Sequence, residues 1–274
     1  MTFKKYLQIL DKSIKKRAIK VEKRLRLVIS SFFLTLLIFF STFFYFDKAL
    51  IFIPLLLIAT YFFTYFSLIE KIEKIGWLNL FLMPIMLTIS FYVFYFLFPG
   101  RWLTRLPFII IYSISIYAVL LCSNIFSVGI EKSLQLYRAA FSINFFYQTL
   151  VSFLFFNIIF SLREYFYINM ILSGVITFFL SFQLFWTVKL DKNLDKKNLL
   201  FAFLISLIIA QLSALLSFIP LRSTSIALFL TATFYSLSGI IYNYLDKKLF
   251  KETIREYVFV WIFVLIITFF SISW

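Results

Sequence analysis

The side chains with the most scope for chemistry in this sequence are neutral amides and hydroxyls set inside long apolar runs. Asn144, Gln148 and Ser152 recur every four residues, which on a helix places them on one face. Asn157 follows in the same run, and the run before it closes on Cys122, Ser123 and Asn124. Gln183, Gln211 and Asn243 lie within or near the ends of later runs. An amide surrounded by hydrocarbon must find a hydrogen-bond partner or point away from lipid. Two roles satisfy that demand. The groups can bond helix to helix, or Asn124, Asn144, Gln148 and Gln211 can line a polar cleft that admits a headgroup or a neutral solute.

A second constellation is basic. Arg101, Arg105, Arg163 and Arg222 fall in or beside short turns between apolar runs. A guanidinium grips phosphate through a planar pair of N–H donors, which a lysine ammonium does not. Together the four could hold a lipid phosphate, although ordinary anchoring among headgroups accounts for them too.

Other chemistries lack their residues. The sequence has no His and a single Cys, Cys122, so it cannot form an internal disulfide or a multi-cysteine metal site. All 12 acidic and 27 basic residues fall between the apolar runs or at their ends. Ionisable groups inside a span are costly and usually mark proton relays or ion paths. There is no glycine-rich phosphate loop, paired metal-ligand spacing or nucleophile elbow. No catalytic residue, metal or other cofactor is expected.

The elements that carry these groups follow from composition. The chain of 274 residues is 63% hydrophobic and 14% charged, against roughly 45–50% and 25% in soluble domains. Lipid must be the solvent for most of it. Nine apolar stretches are long enough to cross about 30 Å of hydrocarbon as helices: residues 27–46, 49–69, 78–98, 106–128, 139–162, 165–188, 198–220, 226–245 and 257–274. Alternation of strand period is absent, so the expected fold is all-α, a polytopic transmembrane bundle of about nine spans. Pro54 and Pro84 fall inside the second and third and predict kinks. Ala210, Ser213, Ala214 and Ser217 give the seventh two pairs of small residues four apart, suited to close helix packing.

Residues 1–26 are different. They hold ten Lys and Arg against two acids, and Phe3, Leu7, Leu10, Ile14, Val21 and Leu25 share one helical face. This pattern predicts a basic amphipathic helix, separate from the bundle of 27–274, lying on anionic headgroups. No small-residue cleavage site follows the first apolar run, so a cleaved signal peptide is not expected. Nucleic acid is not the expected partner of a basic segment that abuts a span. Membrane lipids are, together with a possible membrane-protein partner.

With nine spans and the N-terminus inside, the cytoplasmic segments hold 22 of the 27 Lys and Arg residues, as the positive-inside rule requires. Trp77, Trp102, Trp186 and Trp274 fall at span ends, where indole favours the headgroup layer. The expected location is therefore a plasma (inner) membrane, multi-pass, with the N-terminus cytoplasmic and the C-terminus external.

One segment carries a resemblance. From Asn124 to Gln148, a span ends in Asn124, Ile125 and Phe126, a short charged loop follows, and Leu136, Arg138, Ala139 and Ala140 open the next span. This resembles an uncharacterised family of bacterial polytopic membrane proteins. The resemblance implies a helical membrane bundle and transfers no activity or site residue. The function expected from the residues is a non-enzymatic accessory, scaffold or assembly component; the alternative is a transporter or flippase for a lipid-linked or neutral solute.

Overall fold

The computed structural model describes residues 22–43, 46–69, 77–97, 102–128, 135–190 and 195–272. Among them every regular element is an α-helix. In chain order these are α1 (Lys23–Ser41), α2 (Phe46–Leu68), α3 (Trp77–Tyr95), α4 (Trp102–Val128), α5 (Gln135–Ser161), α6 (Phe166–Trp186), α7 (Lys196–Leu216), α8 (Ser223–Leu245) and α9 (Lys251–Phe270). Eight helices are long and apolar enough to cross a membrane, and α2 carries a shorter apolar stretch over Phe52–Leu68. The all-α fold expected from composition is the fold observed among the described residues, with a helix over each of the nine expected apolar stretches. Most of the proposed amphipathic helix, residues 1–21, lies outside the described residues.

The boundaries move where charge meets lipid. The first helix begins at Lys23 and the last at Lys251, each ahead of its apolar run, because charged residues continue a helix readily once it leaves hydrocarbon. Arg26 is buried in the first turn of α1, only 1% exposed.

The chain divides into two compact units. One comprises residues 1–89 and 101–140, the other residues 90–100 and 141–274. In the first unit α1 packs on α2 and α4. Ser30 Oγ donates to the Phe63 carbonyl at 3.1 Å, tying α1 to α2. The ring of Phe33 stacks on that of Phe63 at 5.5 Å. Thr88 and Tyr112 share a hydrogen bond of 3.0 Å between α3 and α4. Thr88 also donates to the carbonyl of Pro84 at 2.8 Å. The proline lies inside α3 and has no N–H to continue the helical ladder.

In the second unit α6 and α7 form the most extensive pair, and α9 packs on α8. Close approach needs small residues. At Gly174 an added Cβ would stand 3.2 Å from the Cβ of Ala210 on α7. At Gly239 it would stand 2.4 Å from the Tyr257 ring on α9. Large apolar side chains cover the outside, with Phe218, Phe259 and Phe270 all exposed. In water such a surface would drive aggregation; against lipid tails it is the expected outer face.

Candidate functional site

The interior of the second unit is a polar seam built from two helical faces. On α5, Asn144, Gln148 and Ser152 are buried four residues apart. On α6 the same spacing runs longer: Asn169, Ser173, Thr177 and Ser181 are all buried. At 1.5 Å per residue such a ladder climbs about 18 Å, more than half of a hydrocarbon core. Helical periodicity alone keeps these groups on one stripe, and lipid forces the stripe inward.

The seam has two knots. In the first, the Oε1 of Gln183 on α6 accepts from the amide nitrogen of Asn144 at 3.3 Å and from that of Gln148. Gln148 Nε2 also donates to the carbonyl of Leu180 at 3.3 Å. Two α5 amides thus converge on one α6 oxygen. In the second, α6 meets α7. Ser173 and Ser213 share a hydrogen bond of 2.7 Å, and Ser213 reaches the Asn169 carbonyl at 3.1 Å. Asn169 Nδ2 donates to Ser217 Oγ at 3.1 Å. The small residues foreseen on the seventh span therefore serve close packing, and Ser213 and Ser217 add hydrogen bonds to it.

Four oxygens in the seam are buried without a hydrogen-bond partner: Gln148 Oε1, Asn169 Oδ1, Thr177 Oγ1 and Ser181 Oγ. Buried polar atoms are usually satisfied by protein or ordered water. The α6 ladder thus has spare accepting capacity between its two knots.

The remaining residues of the proposed cleft take part in neither knot. Asn124 sits on α4 in the first unit, half-buried. Gln211 is exposed on α7, among exposed Leu204, Leu207, Ile208 and Leu215. The partner that Asn144 and Gln148 actually meet is Gln183, on the sixth helix. Asn157 is buried too, but its Oδ1 accepts from Ser161 within α5 at 3.2 Å.

The described arginines are divided between the two units. Arg101 lies outside the described residues. Arg105 belongs to the first unit, its guanidinium 4.5 Å over the ring of Phe43, a cation–π arrangement. Arg163 and Arg222 belong to the second, both exposed, in the α5–α6 and α7–α8 connections.

At one end of the second unit, the α6–α7 connection faces the end of α8. Lys189 Nζ and Asp195 Oδ2 are 2.6 Å apart. Asp195 Oδ1 also caps α7, accepting from the Lys197 amide at 3.1 Å. The Lys189 hydrogen bond, helped by that of the Lys197 amide, holds the Asp195 carboxyl below its ordinary value. Opposite them, α8 closes with Lys247 at φ 57. The Lys248 amide donates to the Asn243 carbonyl at 2.9 Å and that of Lys247 to Tyr244 at 3.1 Å, a Schellman pair.

The α6 ladder was written in the sequence as small polar residues four apart, a signal that Ser and Thr barely register against so many Phe and Leu. Among the described residues no group of three or more His, Cys, Asp or Glu could hold a metal. No curated protein and no solved structure matches the chain. A family model does: it matches residues 69–271, α3 through α9, and is described as a protein of unknown function, DUF5656. The chain belongs to that family, which agrees with the uncharacterised family that the Asn124–Gln148 segment resembles.

Proposed function

We propose that this member of the DUF5656 family is a multi-pass plasma-membrane protein that acts without catalysis, as an accessory or assembly component packed against a partner membrane protein. The observation that carries the reading is how the polar groups are spent. Asn144, Gln148, Asn169, Ser173, Gln183, Ser213 and Ser217 bond helix to helix within one unit, as structural glue does. Gln211 is the contrast. Its amide stands exposed on an apolar α7 face, where hydrocarbon offers it no partner and another helix would. The lysine and arginine asymmetry between alternate connections favours a cytoplasmic N-terminus and an external C-terminus.

The test separates glue from passage. Asn144→Leu removes one donor from the first knot and should lower abundance or thermal stability without abolishing partner retention in the fraction that folds. Loss of a transported solute's flux at unchanged abundance would instead support the second reading.

That second reading, a transporter for a neutral or lipid-linked solute, is favoured by one observation: the partnerless oxygens of Thr177 and Ser181 between the two knots. Hydroxyl groups of a solute, or water accompanying it, would find acceptors there. Thr177→Val with Ser181→Ala should leave a pure scaffold working and stop such a transporter.

A further inference from the structure

The end of the second unit where α7 begins and α8 ends encloses a cleft of about 460 Å³, lined by Lys189, Asp195, Lys197, Leu200, Phe201, Tyr244, Leu245 and Lys247. That volume lies within the range of small-molecule sites, roughly 300–1,000 Å³. Its lining is divided by chemistry. Leu200, Phe201, Tyr244 and Leu245 belong to the membrane-length parts of α7 and α8, and the rings of Phe201 and Tyr244 meet edge to face at 5.9 Å. The three lysines and Asp195 stand at the helix ends.

Charge in the cleft is unbalanced. Asp195 is taken by Lys189, and Asp246 nearby is taken by Lys248 at 2.7 Å. Lys197 and Lys247 are exposed and, among the described residues, neither has an ion-pair partner. Two ammonium groups over an aromatic and aliphatic wall match an anion that carries its own apolar tail. The Schellman turn places Lys247 on the cleft at a position where glycine is usually favoured.

We propose that this cleft binds the phosphate of an anionic phospholipid, with Lys197 and Lys247 on the phosphate and Phe201 and Tyr244 along the glycerol and upper acyl chains. Inward-facing leaflets rich in anionic lipid attract basic juxtamembrane groups of this kind. The described residues that line it include none of the four arginines. It stands on the membrane reading of the helices and is independent of whether α7 docks a partner at Gln211.

The experiment uses the full chain in vesicles of phosphatidylglycerol and phosphatidylcholine, extracted gently and weighed by native mass spectrometry. Wild type should retain one phosphatidylglycerol per chain, and Lys197→Gln with Lys247→Gln should lower that retention at least ten-fold. Lys197→Arg with Lys247→Arg should keep it. Equal retention by the Gln variant overturns the proposal. In pure phosphatidylcholine vesicles, millimolar inorganic phosphate should raise the melting temperature little compared with added phosphatidylglycerol. Equal stabilisation by phosphate alone would mean a site for a soluble phosphoryl group, and would overturn the lipid assignment. Should the Gln variant fail to accumulate, Asp195→Asn gives the opposite test. Asparagine caps as well as aspartate, and the loss of one negative charge should increase retention; unchanged or lower retention counts against the site.

Discussion

Ser173 on α6 and Ser213 on α7 are joined by a hydrogen bond of 2.7 Å, both side chains fully buried. Forty residues apart in sequence, they fix the register of the most extensive helix pair in the second unit. Such bonds between membrane helices contribute about 0.6 kcal/mol on average and up to about 1.7. A double-mutant cycle with Ser173→Ala and Ser213→Ala, read by unfolding in mixed micelles, should therefore give a coupling of that size. A coupling indistinguishable from zero would mean the contact contributes shape and no bond energy.

The glycines on facing helices should differ in tolerance. Gly239→Ala places a methyl 2.4 Å from the Tyr257 ring, which is itself packed 5.2 Å from the ring of Tyr235. Gly174→Ala meets Ala210 Cβ at 3.2 Å and the Ser206 carbonyl oxygen at an ordinary contact distance of 3.6 Å. Overpacking of this kind costs on the order of 1–3 kcal/mol. Thermal unfolding should show the larger loss for Gly239→Ala. Tyr257→Ala in the same chain should recover part of it.

Acid should act on the Lys189–Asp195 pair. The Asp195 carboxyl is held below its ordinary value of 3.8 chiefly by the Lys189 bond. A depressed carboxyl adds stability that is present above the unfolded value and lost as pH falls through the folded one. The wild-type melting temperature should therefore lose this contribution below pH 3.8, and Asp195→Asn should lack that step. The pair is exposed, so the step is small. Identical pH profiles would show that the pair contributes nothing measurable.

Orientation is open to labelling, because Cys122 is buried. A membrane-impermeant maleimide should modify Arg163→Cys in intact cells and Lys247→Cys only after permeabilisation. The reverse pattern would invert the proposed topology.

Much of this architecture can be read from residue types alone, because lipid imposes one rule on every span. Apolar length locates the helices, and backbone satisfaction leaves no alternative to them. The facing of Asn144 and Gln148 into the protein follows from the same rule. What they would meet does not follow, since Gln183 reaches them by helix packing, which hydropathy does not encode. Gln211 makes the point in reverse: by residue type it is equivalent to Gln183, yet it is exposed. The lysine cleft was equally illegible, because Lys197 and Lys247 become neighbours only when the start of α7 comes beside the end of α8.

The proposal of an accessory role rests on the exposed amide of Gln211 meeting a partner helix. Native mass spectrometry of the chain gently extracted from its own membrane, beside a Gln211→Leu variant of equal abundance, tests it most directly. An accessory role predicts a stoichiometric complex with a different membrane protein, reduced at least ten-fold by the substitution. A chain released alone, as its own oligomer, or with lipid only, in both forms, would contradict it.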